Sequence, residues 1–215
     1  MSALLEQLKE LRLVPVIVID DAAQAASLAT ALVNGGLPCA EVTFRTAAAA
    51  EALRRMTASH PQMLVGAGTV LTPDQARVAR EAGARFIVAP GFSPAVVDYC
   101  LENDIAVFPG VCTPTEIEMA LGRGLSTVKF FPAEPIGGLN YLKAVAAPYG
   151  DVDFIPTGGI NAKNVHEYLS FKKVIACGGS WMAPADVISA GDFARIEAET
   201  ARAVAATRKS VGAAS

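Results

Sequence analysis

The chain has 215 residues, 52% of them hydrophobic and 18% charged, and a formal net charge of -3. That length fits one domain over residues 1-215 with a sizeable core, and the composition excludes intrinsic disorder. No basic run points to nucleic acid, and no apolar stretch reaches the roughly 20 residues that span a bilayer, so neither nucleic acid nor membrane is an expected partner.

Leu4, Leu5, Leu8 and Leu11 fall on one helical face, interrupted by Glu6, Lys9 and Glu10. This predicts a short amphipathic helix packed on the body of the protein and not a secretory leader. Val14 to Ile19 is a continuous apolar run, as in a strand covered on both faces. Asp21 followed by Gln24 predicts a capping box. The helix it opens buries Ala25, Leu28, Ala29 and Leu32 and stops at Gly35-Gly36. A strand over Cys39 to Phe44, an Ala-rich helix from Ala47 to about Ser59 and a strand over Met63 to Ala67 follow.

Thr72-Pro73, Ser93-Pro94 and Thr113-Pro114 are three helix starts, about 20 residues apart, with a hydroxyl at the cap and proline at the first helical position. Between them lie strands over Arg85 to Ala89 and Ile105 to Pro109. The sixth strand is Ser126 to Pro132, followed by a helix from about Gly138 to Ala147. Asp153 to Pro156 is a seventh strand, with Asn161 capping a helix to Phe171. Val174 to Cys177 is the eighth, and a last helix runs from about Asp192 to Arg208, before a frayed end from Ser210 to Ser215. Strands alternating with helices imply right-handed crossovers and a parallel sheet. Eight such units in 215 residues predict a compact (β/α)8 TIM barrel with a short N-terminal helix. An open doubly wound sheet is the alternative, but no G-x-G-x-x-G follows the first strand.

The sixth strand carries one lysine among mostly apolar neighbours. Alternation places Thr127, Lys129 and Phe131 on one face and Val128 and Phe130 on the other. A lysine there either snorkels to water or sits dry. A dry ammonium is disfavoured, and the neutral amine can form a Schiff base with a ketone. On the second strand, Glu41, Thr43 and Arg45 share a face, with Val42 and Phe44 on the other. Glu41 and Arg45 form either an internal ion pair or a tuned site at the mouth. Gly66-Ala67-Gly68-Thr69 closes the third strand with small residues that suit close approach of a ligand or a tight turn, and Thr69 offers a hydroxyl.

The last two strands end in glycine pairs, Gly158-Gly159 and Gly178-Gly179, the second followed by Ser180. In barrels these two loops commonly hold phosphate through bare N–H groups at helix N-termini. Cys112, at another strand end, lacks a histidine to activate it and is read as an unreactive thiol. Cys39, Cys100 and Cys177 have no paired spacing, which fits buried free thiols in a cytoplasmic protein. His60 and His166 stand far apart without a cluster around them, and no metal is expected.

Glu41-Val42-Thr43-Phe44-Arg45-Thr46, Gly66-Ala67-Gly68-Thr69-Val70, Lys129-Phe130-Phe131-Pro132-Ala133-Glu134, Pro156-Thr157-Gly158-Gly159-Ile160 and Gly178-Gly179-Ser180-Trp181 together resemble the motifs of the bacterial 2-keto-3-deoxy-6-phosphogluconate (KDPG) aldolases. The order and spacing agree from about Val14 to Arg208, with Phe44 where leucine is expected and Cys112 where serine is common. The resemblance implies a cytoplasmic class I aldolase of the Entner–Doudoroff pathway, a (β/α)8 barrel assembled as a homotrimer, with no metal or other cofactor. It would cleave KDPG reversibly to pyruvate and glyceraldehyde 3-phosphate.

By the same resemblance Lys129 forms the Schiff base and Glu41 moves protons. Arg45 and Thr69 hold the substrate carboxylate, while Gly158, Gly159, Gly179 and Ser180 hold the phosphate, and Phe131 and Thr157 line the pocket. The neighbouring expectations are a pyruvate aldolase acting on 2-keto-4-hydroxyglutarate or 2-keto-3-deoxy-6-phosphogalactonate, a phosphate-binding isomerase barrel that forms no imine, and a non-catalytic binding protein.

Overall fold

A computed structural model describes residues 2–209. The predicted frayed end from Ser210 to Ser215 lies outside the described residues. The chain opens with α1 (Ser2–Leu11), β1 (Leu13–Ile17), α2 (Ala25–Asn34), β2 (Cys39–Thr43), α3 (Ala49–Ser59) and β3 (Leu64–Gly68). It continues through α4 (Pro73–Glu81), β4 (Phe86–Val88), α5 (Pro94–Glu102), β5 (Ala106–Phe108), β6 (Gly110–Val111) and α6 (Pro114–Leu121). The last part holds β7 (Thr127–Phe130), α7 (Gly138–Ala146), β8 (Asp153–Pro156), α8 (Val165–Ser170), β9 (Cys177–Gly179), α9 (Ala185–Ser189) and α10 (Phe193–Lys209). No described helix is long and apolar enough to cross a membrane.

All strand pairings are parallel, as alternating strands and helices require. Six strands form a sheet in the order β5-β4-β3-β2-β1-β9, and three more form β6-β7-β8. Only Pro109, which has no N–H to donate, separates β5 from β6. Single bridges from Phe154 to Val174 and from Thr157 to Gly178 join the β8 and β9 sides. The result is an α/β fold whose parallel sheet is curled and backed by helices. The strands are buried along nearly their whole length, which is why they read as unbroken apolar runs.

Helix starts follow local chemistry in some places and depart from it in others. Thr72 Oγ1 accepts from Gln75 N at 3.2 Å, as a cap should. The Glu116 carboxylate accepts from the backbone N–H groups of Thr113 at 2.9 Å and Cys112 at 2.7 Å, whereas the Ser93 hydroxyl makes no capping bond. The predicted Asp21–Gln24 capping box does not form. Asp21 Oδ1 accepts from Ala23 N and opens one 3-10 turn, and Gln24 is rotated away to donate to the Ser189 carbonyl at 3.4 Å. The eighth strand is displaced from the predicted Val174 to Cys177 onto Cys177–Gly179, glycines that strand propensity disfavours but whose pairing with β1 overrides it.

The leucine stripe of α1 faces inward: Leu4 and Leu8 are buried, and Leu8 reaches a small cavity enclosed by the sheet. Phe86 and Phe108 meet on the wall of that cavity with ring centroids 5.9 Å apart. This apolar floor fixes where a polar group can stand above it.

Candidate active site

Lys129 lies on β7 beside Gly110 of β6 and Ile155 of β8, and Glu41 lies on β2 beside Val16 of β1 and Gly66 of β3. Alternation turns both side chains to the enclosed side of the sheet, where Lys129 Nζ stands 3.4 Å from Glu41 Oε1. The two residues keep only 6% and 3% of their surface exposed. Leu8, Val14, Phe86, Val88, Phe108 and Ile155 share their cavity, so each charge would be costly alone and the two compensate one another. The Phe131 ring centroid lies 5.1 Å from Nζ, a cation–π contact on the mouth side.

Glycines create this arrangement. Gly66 leaves room for the ring of Phe86, and Gly68 leaves room for the Glu41 carboxylate, since a Cβ at either position would overlap them. The space beside these glycines, which sequence alone leaves to ligand approach or a tight turn, is taken by neighbouring side chains of the protein.

Arg45 lies beyond the last paired residue of β2 and emerges at the mouth, where its Nε donates to Thr69 Oγ1 at 3.3 Å. Thr69 has φ 57°, a left-handed backbone that a β-branched residue adopts at a cost of roughly 1–3 kcal/mol. That backbone aims its hydroxyl at Arg45. The alternative of a Glu41–Arg45 ion pair is not realised among the described residues: Glu41 pairs with Lys129.

Above the buried pair opens a cavity of about 250 Å³, lined by Arg45, Phe131, Thr157, Gly158, Gly159, Gly179 and Ser180 among others. Thr157 also lines the inner cavity with Lys129 and Glu41, so it marks the junction of the two spaces. Its residue is 7% exposed and its hydroxyl has no hydrogen-bond partner among the described residues. A buried unpartnered hydroxyl is costly unless a ligand satisfies it. Gly178 is the reason that the hydroxyl fits, because a Cβ there would overlap Thr157 Oγ1.

The Gly158–Gly159 loop has positive φ at both glycines, 101° and 81°. Its carbonyls are engaged by the surrounding protein. Thr157 O accepts from Ala133 N at 2.9 Å and Gly158 O from Glu134 N at 3.0 Å. Gly159 O accepts from the side-chain amides of Asn161 at 3.1 Å and Asn164 at 3.2 Å.

Neither glycine pair runs straight into a helix, which corrects the expected dipole-assisted site. Asn161 accepts from Lys163 N in a turn, α8 begins only at Val165, and α9 begins at Ala185. Gly179 borders the cavity, but its Cα is covered by the Trp181 ring, and the Ser180 side chain is exposed at the rim.

Burial raises the Cys112 thiol above its ordinary value, and the hydrogen bond and charge of Glu116 push the same way. Burial raises Cys100 to about 11 and drives Cys39 and Cys177 higher still. These are inert thiols, in line with the reading of Cys112. The sequence reading missed Leu8 as a wall of the inner cavity and missed the packing of Glu134 against Gly159. Neither has a local signal, because both contacts are made by elements distant in the chain.

Fold and site define an α/β protein with a buried amine and a buried carboxylate in contact beneath a cavity bordered by a two-glycine loop. The family described as "KDPG and KHG aldolase" matches residues 4–199. The 2-dehydro-3-deoxy-phosphogluconate aldolase of Treponema pallidum is 49% identical over 92% of this chain and 94% of its own length. The 2-keto-3-deoxy-6-phosphogluconate aldolase of Zymomonas mobilis, crystallised with 3-phosphoglycerate, superposes with a TM-score of 0.88 at 40% identity, covering 94% of this chain and 95% of that one. KDPG aldolase from Legionella pneumophila, with pyruvate captured as a covalent carbinolamine, gives a TM-score of 0.86 at 40% identity over 88% and 92% of the two chains. This chain belongs to the KDPG and KHG aldolase family.

Proposed function

We propose that this protein is a class I aldolase that cleaves 2-keto-3-deoxy-6-phosphogluconate reversibly to pyruvate and glyceraldehyde 3-phosphate, as in the Entner–Doudoroff pathway. The observation that carries the reading is the Lys129–Glu41 pair, 3.4 Å apart and buried where the two cavities meet at Thr157. The carbinolamine seen in the Legionella pneumophila enzyme supports amine chemistry, and 3-phosphoglycerate in the Zymomonas mobilis enzyme supports a phosphorylated ligand.

In this reading Lys129 Nζ, as the neutral amine, adds to the C2 ketone, and the carbinolamine hydroxyl takes a proton from Glu41 and leaves as water, giving a protonated imine and the Glu41 carboxylate. Glu41 takes the C4 hydroxyl proton, directly or through one water. The C3–C4 bond breaks, and its electron pair moves onto the imine to give an enamine as glyceraldehyde 3-phosphate departs. Glu41 then returns a proton to C3, making the methyl group, and water hydrolyses the new protonated imine, giving pyruvate and the free amine as Glu41 takes up the released proton. Arg45, steered by Thr69, grips the carboxylate through two parallel hydrogen bonds. Gly158, Gly159, Gly179 and Ser180 hold the phosphate, and Phe131 and Thr157 line the pocket between the ends. Fixing both ends aligns the bond to be broken.

We further infer that the curled sheet closes as one (β/α)8 barrel forming a single domain. The Phe154–Val174 and Thr157–Gly178 bridges and the continuity of β5 with β6 through Pro109 support closure. A homotrimer rests on the family resemblance, and a cytoplasmic location fits the free cysteines Cys39, Cys100, Cys112 and Cys177.

Pyruvate release from KDPG, from its galactonate epimer and from 2-keto-4-hydroxyglutarate tests the substrate assignment. The expected order places KDPG first in kcat/KM. A higher value for 2-keto-4-hydroxyglutarate would overturn the phosphate assignment, and no pyruvate from any of the three would overturn the reaction.

A further inference from the structure

The glycine loop that faces the large cavity is braced by a pair of side chains that do not line it. Glu134 follows the lysine strand and begins a 3-10 turn, Glu134–Ile136. Its backbone N–H holds the Gly158 carbonyl at 3.0 Å. Its side chain lies against Gly159, where an added Cβ would stand 2.5 Å from Glu134 Cβ. Gly159 is thus constrained twice, by its φ of 81° and by Glu134. Glu134 Oε1 in turn accepts a hydrogen bond from the hydroxyl of Tyr168, a residue of α8 that is 1% exposed. Burial and this bond to Glu134 both raise the Tyr168 phenol, so it stays a donor throughout the working range of pH. The start of α7 is fitted around the same pair: a Cβ on Gly138 would stand 3.0 Å from Glu134 Oε1 and 3.4 Å from the Tyr168 hydroxyl.

We propose that Glu134 and Tyr168 are positioning residues that set the Gly158–Gly159 loop against the end of the lysine strand, and so fix the span between the Schiff-base lysine and the phosphate of the substrate. This rests on the reading of that loop as the phosphate site. The chain from Lys129 to Glu134 is continuous, so the clamp ties the loop to the same segment that carries the amine. Releasing the Tyr168 bond frees the Glu134 side chain to turn off Gly159. The loop then loses its fixed height above Lys129, while the amine and Glu41 keep their contact.

The test compares KDPG with unphosphorylated 2-keto-3-deoxygluconate in four variants. Tyr168→Phe is expected to raise KM for KDPG about 5–10-fold, the worth of one hydrogen bond, with kcat within twofold and with KM for the unphosphorylated acid unchanged. Glu134→Ala is expected to match it, and carries the test if Tyr168→Phe does not fold. Glu134→Gln keeps an acceptor oxygen and the methylenes over Gly159, and is expected to restore KM to within twofold of the parent. Ser180→Ala serves as the control at the cavity rim. If Ser180→Ala discriminates between the two acids while Tyr168→Phe and Glu134→Ala do not, the positioning role is overturned and the phosphate site stands. If no variant discriminates, the phosphate reading falls and the proposal falls with it.

Discussion

The carboxylate of Glu41 stands in the space that a side chain on Gly68 would need. The end of β3 therefore leaves room for the Glu41 carboxylate of β2 by lacking a side chain of its own. Gly68→Ala should push the carboxylate off Lys129 without creating a cavity, at a cost in stability of about 1–3 kcal/mol for the overpacking. We expect kcat to fall by roughly 10²-fold or more, the usual worth of a positioned acid–base group. Glu41→Gln should behave alike, still trapping a pyruvate adduct but exchanging the methyl protons of pyruvate slowly. Proton exchange followed by NMR checks both: normal exchange in Glu41→Gln would remove Glu41 from the proton role, and normal exchange in Gly68→Ala would show that the carboxylate keeps its place without the glycine.

Thr157 should separate stability from activity. Its hydroxyl is buried and unpartnered among the described residues, so Thr157→Val removes a penalty from the ligand-free protein. The expected change in stability is neutral to about 1 kcal/mol favourable, read by thermal or urea unfolding. At the same time kcat/KM for KDPG should fall about 5–10-fold, because a substrate hydroxyl or carbonyl loses its partner. A loss of stability together with unchanged kcat/KM would show that the hydroxyl serves the fold and not the ligand.

The lysine strand was legible because alternation alone separates Lys129 and Phe131 from Val128 and Phe130. The same rule put Glu41 and Arg45 on one face, yet they part company: pairing on β2 ends at Thr43, so Glu41 stays under the roof and Arg45 leaves for Thr69. The glycines were legible as positions but not as causes. Which side chain fills the space beside Gly66, Gly68, Gly159 or Gly178 depends on Phe86, Glu41, Glu134 and Thr157, and sequence spacing carries no trace of those meetings. The strand at Cys177–Gly179 was placed too early for a related reason: two glycines lower strand propensity, and only the pairing with Leu13, Val14 and Pro15 puts them in the sheet. The short α9 passed unread because five residues give too little periodicity to stand out.

Leu8 ties α1 to the floor of the site. It is fully buried and shares the inner cavity with Lys129 and Glu41. Leu8→Ala should cost about 2–5 kcal/mol, because an enclosed site collapses poorly. The enlarged space beneath the pair should also weaken catalysis, since an added water would compete for Nζ. Unfolding curves and kcat at a temperature where the variant is folded measure the two effects, and a loss of stability with full kcat would confine Leu8 to packing.

Borohydride reduction in the presence of pyruvate, followed by peptide mass mapping, tests the central claim most directly. The account predicts one reduced pyruvate adduct, on the peptide carrying Lys129, and none in Lys129→Ala, whose fold should persist. An unmodified Lys129 in folded, parent protein at neutral to mildly alkaline pH, or substantial aldol cleavage by Lys129→Ala, would contradict Schiff-base chemistry at this site.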